Sequence, residues 1–351
     1  MKIKRCFVLL AFSVSSSLPM LSQDSVSTDY PFLREVRLDC RVELDRESKI
    51  FSYTYFLHND RKSMGSIQAF LVDISRLPHS VLLDTIGLRF AGSGLMERWF
   101  REDYPAKVAQ IIPFGFPSLP RYWLAYVGNA PLVSVHTDTL ELAPGESLGG
   151  FVMTSKGLPS IRLFRAEPYF NIYRFFPSLE DTTRTMTIAQ MDSIREAVNF
   201  YGWTIGPTAP PVDLVPPVWI DTLLSYTRQS ADRGWLGKKR DDDCDDDERP
   251  DDGIARNIEQ RLEKAKRQLT RADSAQARKE LVKLVQKVER IWKRSQPARQ
   301  QSGGEEEKKD RRDKREKRDK LIMTSEAYAL LKYNTEYLVD HLPERSRHGR
   351  R

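Results

Sequence analysis

Hydrophobic and polar residues alternate along the first part of the chain. From Glu35 to Asp45 the apolar side chains share one face and the charged ones share the other. This period of two predicts a β-strand with one buried face and one face in water. The apolar face contains Val36, Leu38, Cys40, Val42 and Leu44. A turn over 46–48 and a second alternating run over 49–58 predict an antiparallel hairpin, and 66–74 is a third strand candidate.

Shorter apolar runs, separated by glycine and proline, continue this pattern. They cover 108–114, 122–127, 132–135, 148–154 and 160–165. Many short strands with turn signals between them are typical of an antiparallel β-sandwich. We assign this predicted domain to residues 24–170.

The next segment changes in composition. Residues 206–217 (GPTAPPVDLVPP) contain five prolines, which exclude a helix and favour a stiff, extended chain. A short helix is predicted just before it, over 187–200, from apolar residues near helical spacing. We interpret 171–217 as an irregular, Pro-rich connector between two independently folding units.

Helical spacing of apolar residues begins after the connector. It predicts helices over 218–233, 254–270, 274–292 and 325–342, with Gly234 as the stop of the first. Four helices with apolar stripes predict a small helical bundle over 218–351. The fold class expected for the whole chain is therefore multidomain, with β structure first and α structure second.

Two charged segments interrupt the predicted bundle. An acidic loop spans 240–253, and a charged insertion spans 301–320, of which 305–320 contains no apolar residue. Neither segment can bury a core, so both are predicted to be solvated, the second either as a disordered loop or as a lone charged helix.

The first 23 residues have the layout of a signal peptide. Basic residues at positions 2, 4 and 5 precede a short apolar run over 6–14, which is followed by small and polar residues. That run is too short to cross a bilayer, so export followed by cleavage is the better interpretation. No later segment approaches the roughly 20 apolar residues of a membrane-spanning helix. The sequence thus predicts a secreted or extracytoplasmic protein.

The C-terminal part resembles the FIMAH-type helical module of bacterial secreted and surface proteins. The residues that carry the resemblance are Asp251 to Ile254, Leu262 to Ala265, Leu269, Ala277, Leu281, Val288, Glu289 and Ser325 to Leu331. The preceding part, with the runs Pro144 to Phe151 and Ser155 to Pro159, is similar to the β-domain that precedes this module in some of those proteins. The resemblance implies export and a modular role near the cell surface, and no catalytic residues. The charged insertion departs from the pattern.

The acidic loop contains the one candidate metal site. Asp241, Asp243 and Asp245 could offer carboxylate oxygens to calcium. The loop lacks the glycine and the terminal glutamate of an EF-hand. A solvated linker is the alternative interpretation, and the one we favour.

No catalytic motif is evident. The five histidines are scattered, although His136 and Asp138 alternate onto one strand face and could contribute to a Ser/His/Asp site. No G-x-S-x-G sequence supports such a site. Aromatic residues of the predicted sandwich could instead stack on sugars if they are exposed. The candidates are Trp99, Phe100, Tyr122, Trp123 and Tyr126.

Net charge and cysteine content bear on nucleic-acid binding and on disulfide pairing. Loss of the three basic residues of the signal peptide lowers the formal net charge from +7 to +4, too little to favour nucleic-acid binding. Cys40 and Cys244 would remain after export and could pair in an oxidising compartment. Alternation places Cys40 on the buried face, which favours free thiols.

The leading hypothesis is an exported, non-catalytic binding or structural module with a possible glycan or cell-surface partner. The alternative is a secreted hydrolase whose site is assembled on the loops of the predicted sandwich.

Overall fold

The computed structural model describes residues 31–74, 115–127, 132–137, 141–169, 197–238, 253–296 and 321–343. Within them are eleven strands and four helices. The strands are β1 (Arg37–Asp45), β2 (Ile50–His58), β3 (Ile67–Asp73), β4 (Gly115–Ser118), β5 (Trp123–Val127), β6 (Leu132–Thr137), β7 (Ser147–Ser155), β8 (Leu158–Pro168), β9 (Phe200–Thr208), β10 (Leu236–Lys238) and β11 (Leu321–Met323). The helices are α1 (Pro216–Asp232), α2 (Gly253–Thr270), α3 (Ser274–Ser295) and α4 (Ser325–His341). None of these helices is long and apolar enough to span a membrane.

The strands form two main antiparallel sheets. One has four strands in the order β1-β2-β7-β4, and the other has five in the order β5-β6-β3-β8-β9. β10 and β11 form a separate pair. The predicted hairpin is confirmed, because β1 pairs with β2 from Arg37 opposite His58 to Asp45 opposite Ile50.

Aromatic side chains connect the two main sheets. The Phe151 ring of β7 packs edge-on against Phe70 of β3, at 5.0 Å between centroids, and against Trp123 of β5, at 5.1 Å. The Tyr55 hydroxyl of β2 donates to the carbonyl of Ile205 in β9 at 3.1 Å. Because these side chains are all buried or nearly so, the inner faces of both sheets contribute to one core.

The helices share that core. Trp219 of α1 is 1% exposed, and its indole nitrogen donates to the carbonyl of Asn334 in α4 at 3.0 Å. The Asn334 amide in turn donates to the carbonyl of Pro159 in β8 at 2.9 Å. Buried apolar residues of both main sheets and of all four helices form a single cluster. The segments on either side of the predicted connector therefore contribute to one core.

A buried arginine lies where these elements meet. Arg162 of β8 is 1% exposed, and its guanidinium donates twice to the carbonyl of Pro207, at 3.1 and 2.6 Å. Burial lowers the pKa of Arg162, while nearby Asp73 acts to raise it. Bonds to a carbonyl and a nearby carboxylate reduce the cost of burying this charge. Since the group does not reach the surface, its role is structural.

The strands and helices predicted from periodicity are confirmed within a few residues wherever they are described. The predicted irregular connector is wrong for 200–208, which form β9 and pair with β8. Pro207 is accommodated because β9 is an edge strand. The strand predicted over 108–114, most of the helix predicted over 187–200 and the two charged segments lie outside the described residues.

Candidate functional site

The residues singled out by sequence do not assemble into a site in the described part of the chain. Asp241, Asp243 and Asp245 lie outside the described residues, as do Cys244 and Asp138. His136 lies in β6, opposite Ala69 of β3 and Leu124 of β5. Among the described residues, no group of three or more His, Cys, Asp or Glu side chains could hold a metal ion.

The structure instead joins three other side chains on the outer face of the four-stranded sheet. The Nδ1 atom of His58 lies 2.7 Å from the Ser147 hydroxyl, and its Nε2 atom lies 3.0 Å from a carboxylate oxygen of Asp39. These residues come from β2, β7 and β1, respectively. We call this set the His58 row.

A β-bulge at Gly150 creates the row. The β2–β7 pairing passes from Tyr55 opposite Phe151 to Phe56 opposite Gly149, so Gly150 has no partner. Its φ of +94° is readily adopted only by glycine. Because the bulge shifts the register by one residue, His58 faces Ser147 rather than the apolar Leu148.

The same bulge produces an aromatic platform beside the row. Phe56 is 40% exposed, and a β-carbon built on Gly149 would lie only 2.4 Å from its ring. The ring therefore packs directly on the backbone of β7, where only glycine leaves room. An aromatic surface thus lies next to three hydrogen-bonding side chains on a rigid sheet.

The hydrogen bonding of the His58 row depends on which imidazole nitrogen of His58 carries the proton. With the imidazole proton on Nε2 and donated to Asp39, Nδ1 accepts the hydrogen of the Ser147 hydroxyl. This polarity is also the one by which a base activates a serine nucleophile. However, the side chains of Asp39 and His58 are 48% and 27% exposed, so water screens their charges. Acyl transfer depends on donors preorganised in a water-excluded site, whereas an open row is suited to hydrogen bonding with a polar ligand.

The aromatic residues proposed from the sequence to stack on sugars differ in exposure. Trp123 is buried at 3% exposure, and Tyr122 is 52% exposed with Arg121 stacked on its ring at 4.6 Å. Trp99 and Phe100 lie outside the described residues, as does the Tyr126 side chain. The sequence analysis did not identify Phe56. The signal was present, because Phe56 is an aromatic residue on the face of an alternating strand that is expected to be polar.

Comparisons with known proteins do not assign this site. No protein-family profile, no curated protein and no solved structure matches the chain.

Proposed function

We propose that this chain is an exported, non-catalytic protein that binds a glycan on the outer face of its four-stranded sheet. The observation that carries the proposal is the half-exposed Phe56 ring packed on Gly149, beside the His58 row. The C–H faces of sugar rings pack on aromatic faces, and sugar hydroxyls both donate and accept hydrogen bonds. Asp39, His58 and Ser147 offer both kinds of partner.

In this proposal the two main sheets form a β-sandwich, and the four helices form a small bundle of the FIMAH type. The sandwich presents the binding face, and the bundle supports it through the shared core. Export rests on the layout of residues 1–23 alone. The glycan would then belong to the cell surface or its surroundings.

A hydrolase is the second candidate, favoured by the hydrogen bonds of Ser147 to His58 and of His58 to Asp39. If the row activates Ser147, a fluorophosphonate probe should label that serine, and the label should disappear in Ser147→Ala. Ser118→Ala is the matched control, because Ser118 is an exposed serine of the same sheet. The binding proposal predicts no label on Ser147.

A glycan array probed with the purified protein tests the binding proposal. The expected result is retention on a defined group of glycans, with no change in the glycans themselves when the bound material is recovered and analysed. Failure to bind any glycan contradicts binding, and cleavage of a bound glycan that Ser147→Ala abolishes supports the hydrolase.

A further inference from the structure

A strip of positive charge runs along the hairpin of α2 and α3. Its members are Arg261 and Lys264 on α2, and Lys283, Lys287 and Arg290 on α3. One carboxylate, Glu280, lies among them with a side chain only 2% exposed. It lies 3.5 Å from Arg261, 3.1 Å from Lys264 and 3.3 Å from Lys283.

Glu280 has an evident structural role. Its ion pairs with Arg261 and Lys264 join α3 to α2. Burial acts to raise the pKa of Glu280, but Lys264 and Lys283 hold it below its ordinary value. A single carboxylate cannot, however, balance five cations. The strip keeps an excess of positive charge after the bridge is counted.

The excess is concentrated at Lys287 and Arg290. Neither forms an ion pair with any residue that the structure describes, and the Arg290 guanidinium donates only to the carbonyl of Gln286 in its own helix. Partial burial, and then the nearby cations Arg261 and Arg290, lower the pKa of Lys287. Like charges held this close destabilise the free protein and are relieved by an anion.

We propose that this strip binds a linear polysaccharide bearing sulfate or phosphate groups. Lys283 and Arg290 are seven positions apart, which is about 10 Å at 1.5 Å per residue, so the cations of α3 can follow a polymer with repeated charges. Lys264 and Lys283 have side chains more than half exposed and can reach it.

The surroundings of the strip favour a polysaccharide over other polyanions. Among the described residues, no aromatic side chain of α2 or α3 is exposed, so the strip lacks the aromatic platforms on which single-stranded nucleic acids stack. Val282 is the only large apolar side chain of α2 and α3 that is exposed among the described residues, which leaves little to insert into a membrane. This site is separate from the Phe56 face and does not depend on it.

The test is a titration of the full chain with dextran sulfate, with uncharged dextran as the ligand control. Binding should weaken steeply as salt is raised. The double variant Lys287→Gln/Arg290→Gln should bind about tenfold more weakly, since each cation near an anionic surface contributes a few-fold. The matched control is Lys49→Gln/Arg256→Gln, which removes the same charge from two exposed residues outside the strip and should bind like wild type.

Thermal unfolding gives an independent readout. Lys287→Gln/Arg290→Gln should raise the unfolding midpoint of the free protein, because it removes like-charge repulsion. Absence of binding at low salt, or equal weakening in both double variants, would overturn the proposal. Equal or tighter binding of duplex DNA or of anionic vesicles would overturn the assigned class of ligand.

Discussion

The carboxylate of Glu326, in the first turn of α4, accepts a hydrogen bond from the backbone amide of Cys40 at 2.6 Å across 286 residues of sequence. Cys40 lies in β1, an edge strand of the four-stranded sheet, and its outward amide would otherwise be open to pairing with another chain. Further along α4, the Tyr333 hydroxyl donates to the carbonyl of Val42 at 3.2 Å. The last helix thus covers one edge of the sheet that presents the proposed binding face.

Replacing Glu326 should therefore destabilise the whole protein. Glu326→Ala leaves the buried Cys40 amide without an acceptor, which costs about 1–3 kcal/mol. Glu326→Gln is the matched control, because its amide oxygen can still accept the bond. Urea unfolding at neutral pH measures both variants, and equal stability of Glu326→Ala and wild type would show that this bond is unimportant.

The pH dependence of stability should differ in sign between two buried carboxyls. Burial raises the pKa of Glu326 above 4.5, so its contribution is fully present below that pH and is lost as pH rises through the raised value. The pKa of Glu280 is lowered by Lys264 and Lys283, so its contribution is present above 4.5 and is lost as pH falls. Relative to wild type, Glu326→Gln should gain stability as pH rises from acid to neutral, whereas Glu280→Gln should lose it. Parallel urea titrations across this range check the two slopes, and slopes of the same sign would contradict the assignment.

Substitution of Gly150 and of its neighbour Gly149 by alanine tests the geometry of the bulge. Gly150→Ala should cost about 1 kcal/mol or more, because alanine is strained at a φ of +94°. Gly149→Ala should instead displace the Phe56 ring, since its β-carbon would lie 2.4 Å from that ring. Thermal unfolding measures the first effect and glycan affinity the second. A Gly150→Ala protein as stable as wild type would exclude the strained bulge.

Cys40 provides a reporter of cooperative unfolding. It is a free thiol with no exposed surface, and burial, followed by the nearby Glu326 carboxylate, raises its pKa. In a chain carrying Cys6→Ser and Cys244→Ser, it should react with a thiol reagent only when the protein unfolds. Its labelling midpoint in urea should coincide with the midpoint for loss of helix, measured by circular dichroism. A separate, earlier transition in either signal would support the two independent units expected from the sequence.

Local patterns in the sequence predicted most of the described strands and all four described helices, but not their assembly. Strict alternation over 35–45 correctly placed Cys40 on the buried face, because a strand's side-chain period needs no knowledge of its partners. The bond between Cys40 and Glu326 could not be predicted, since it depends on how α4 packs on β1. β10 and β11 are three residues each, too short to show any period.

In the candidate site, too, the sequence predicted single-strand features but not the contacts between strands. His58 and Asp39 were recognisable as polar-face residues, but Ser147 joins them only because the bulge at Gly150 shifts the register of β7. A bulge is a property of paired strands, and a single strand's sequence does not specify it. Proline density over 206–217 suggested a linker, but the first three residues of this segment continue β9 and pair with β8.

Binding of a glycan by the outer face around Phe56 is tested by comparing the affinities of three proteins. The affinity of wild type for its best glycan-array ligand is compared with that of Phe56→Ala and of Tyr122→Ala, each with its fold verified by circular dichroism. Tyr122 is a suitable control because it is also an exposed aromatic residue, at 52%, but adjoins the five-stranded sheet. Phe56→Ala should lose binding, whereas Tyr122→Ala should retain it. Full affinity in Phe56→Ala, or loss confined to Tyr122→Ala, would show that the glycan does not bind around Phe56.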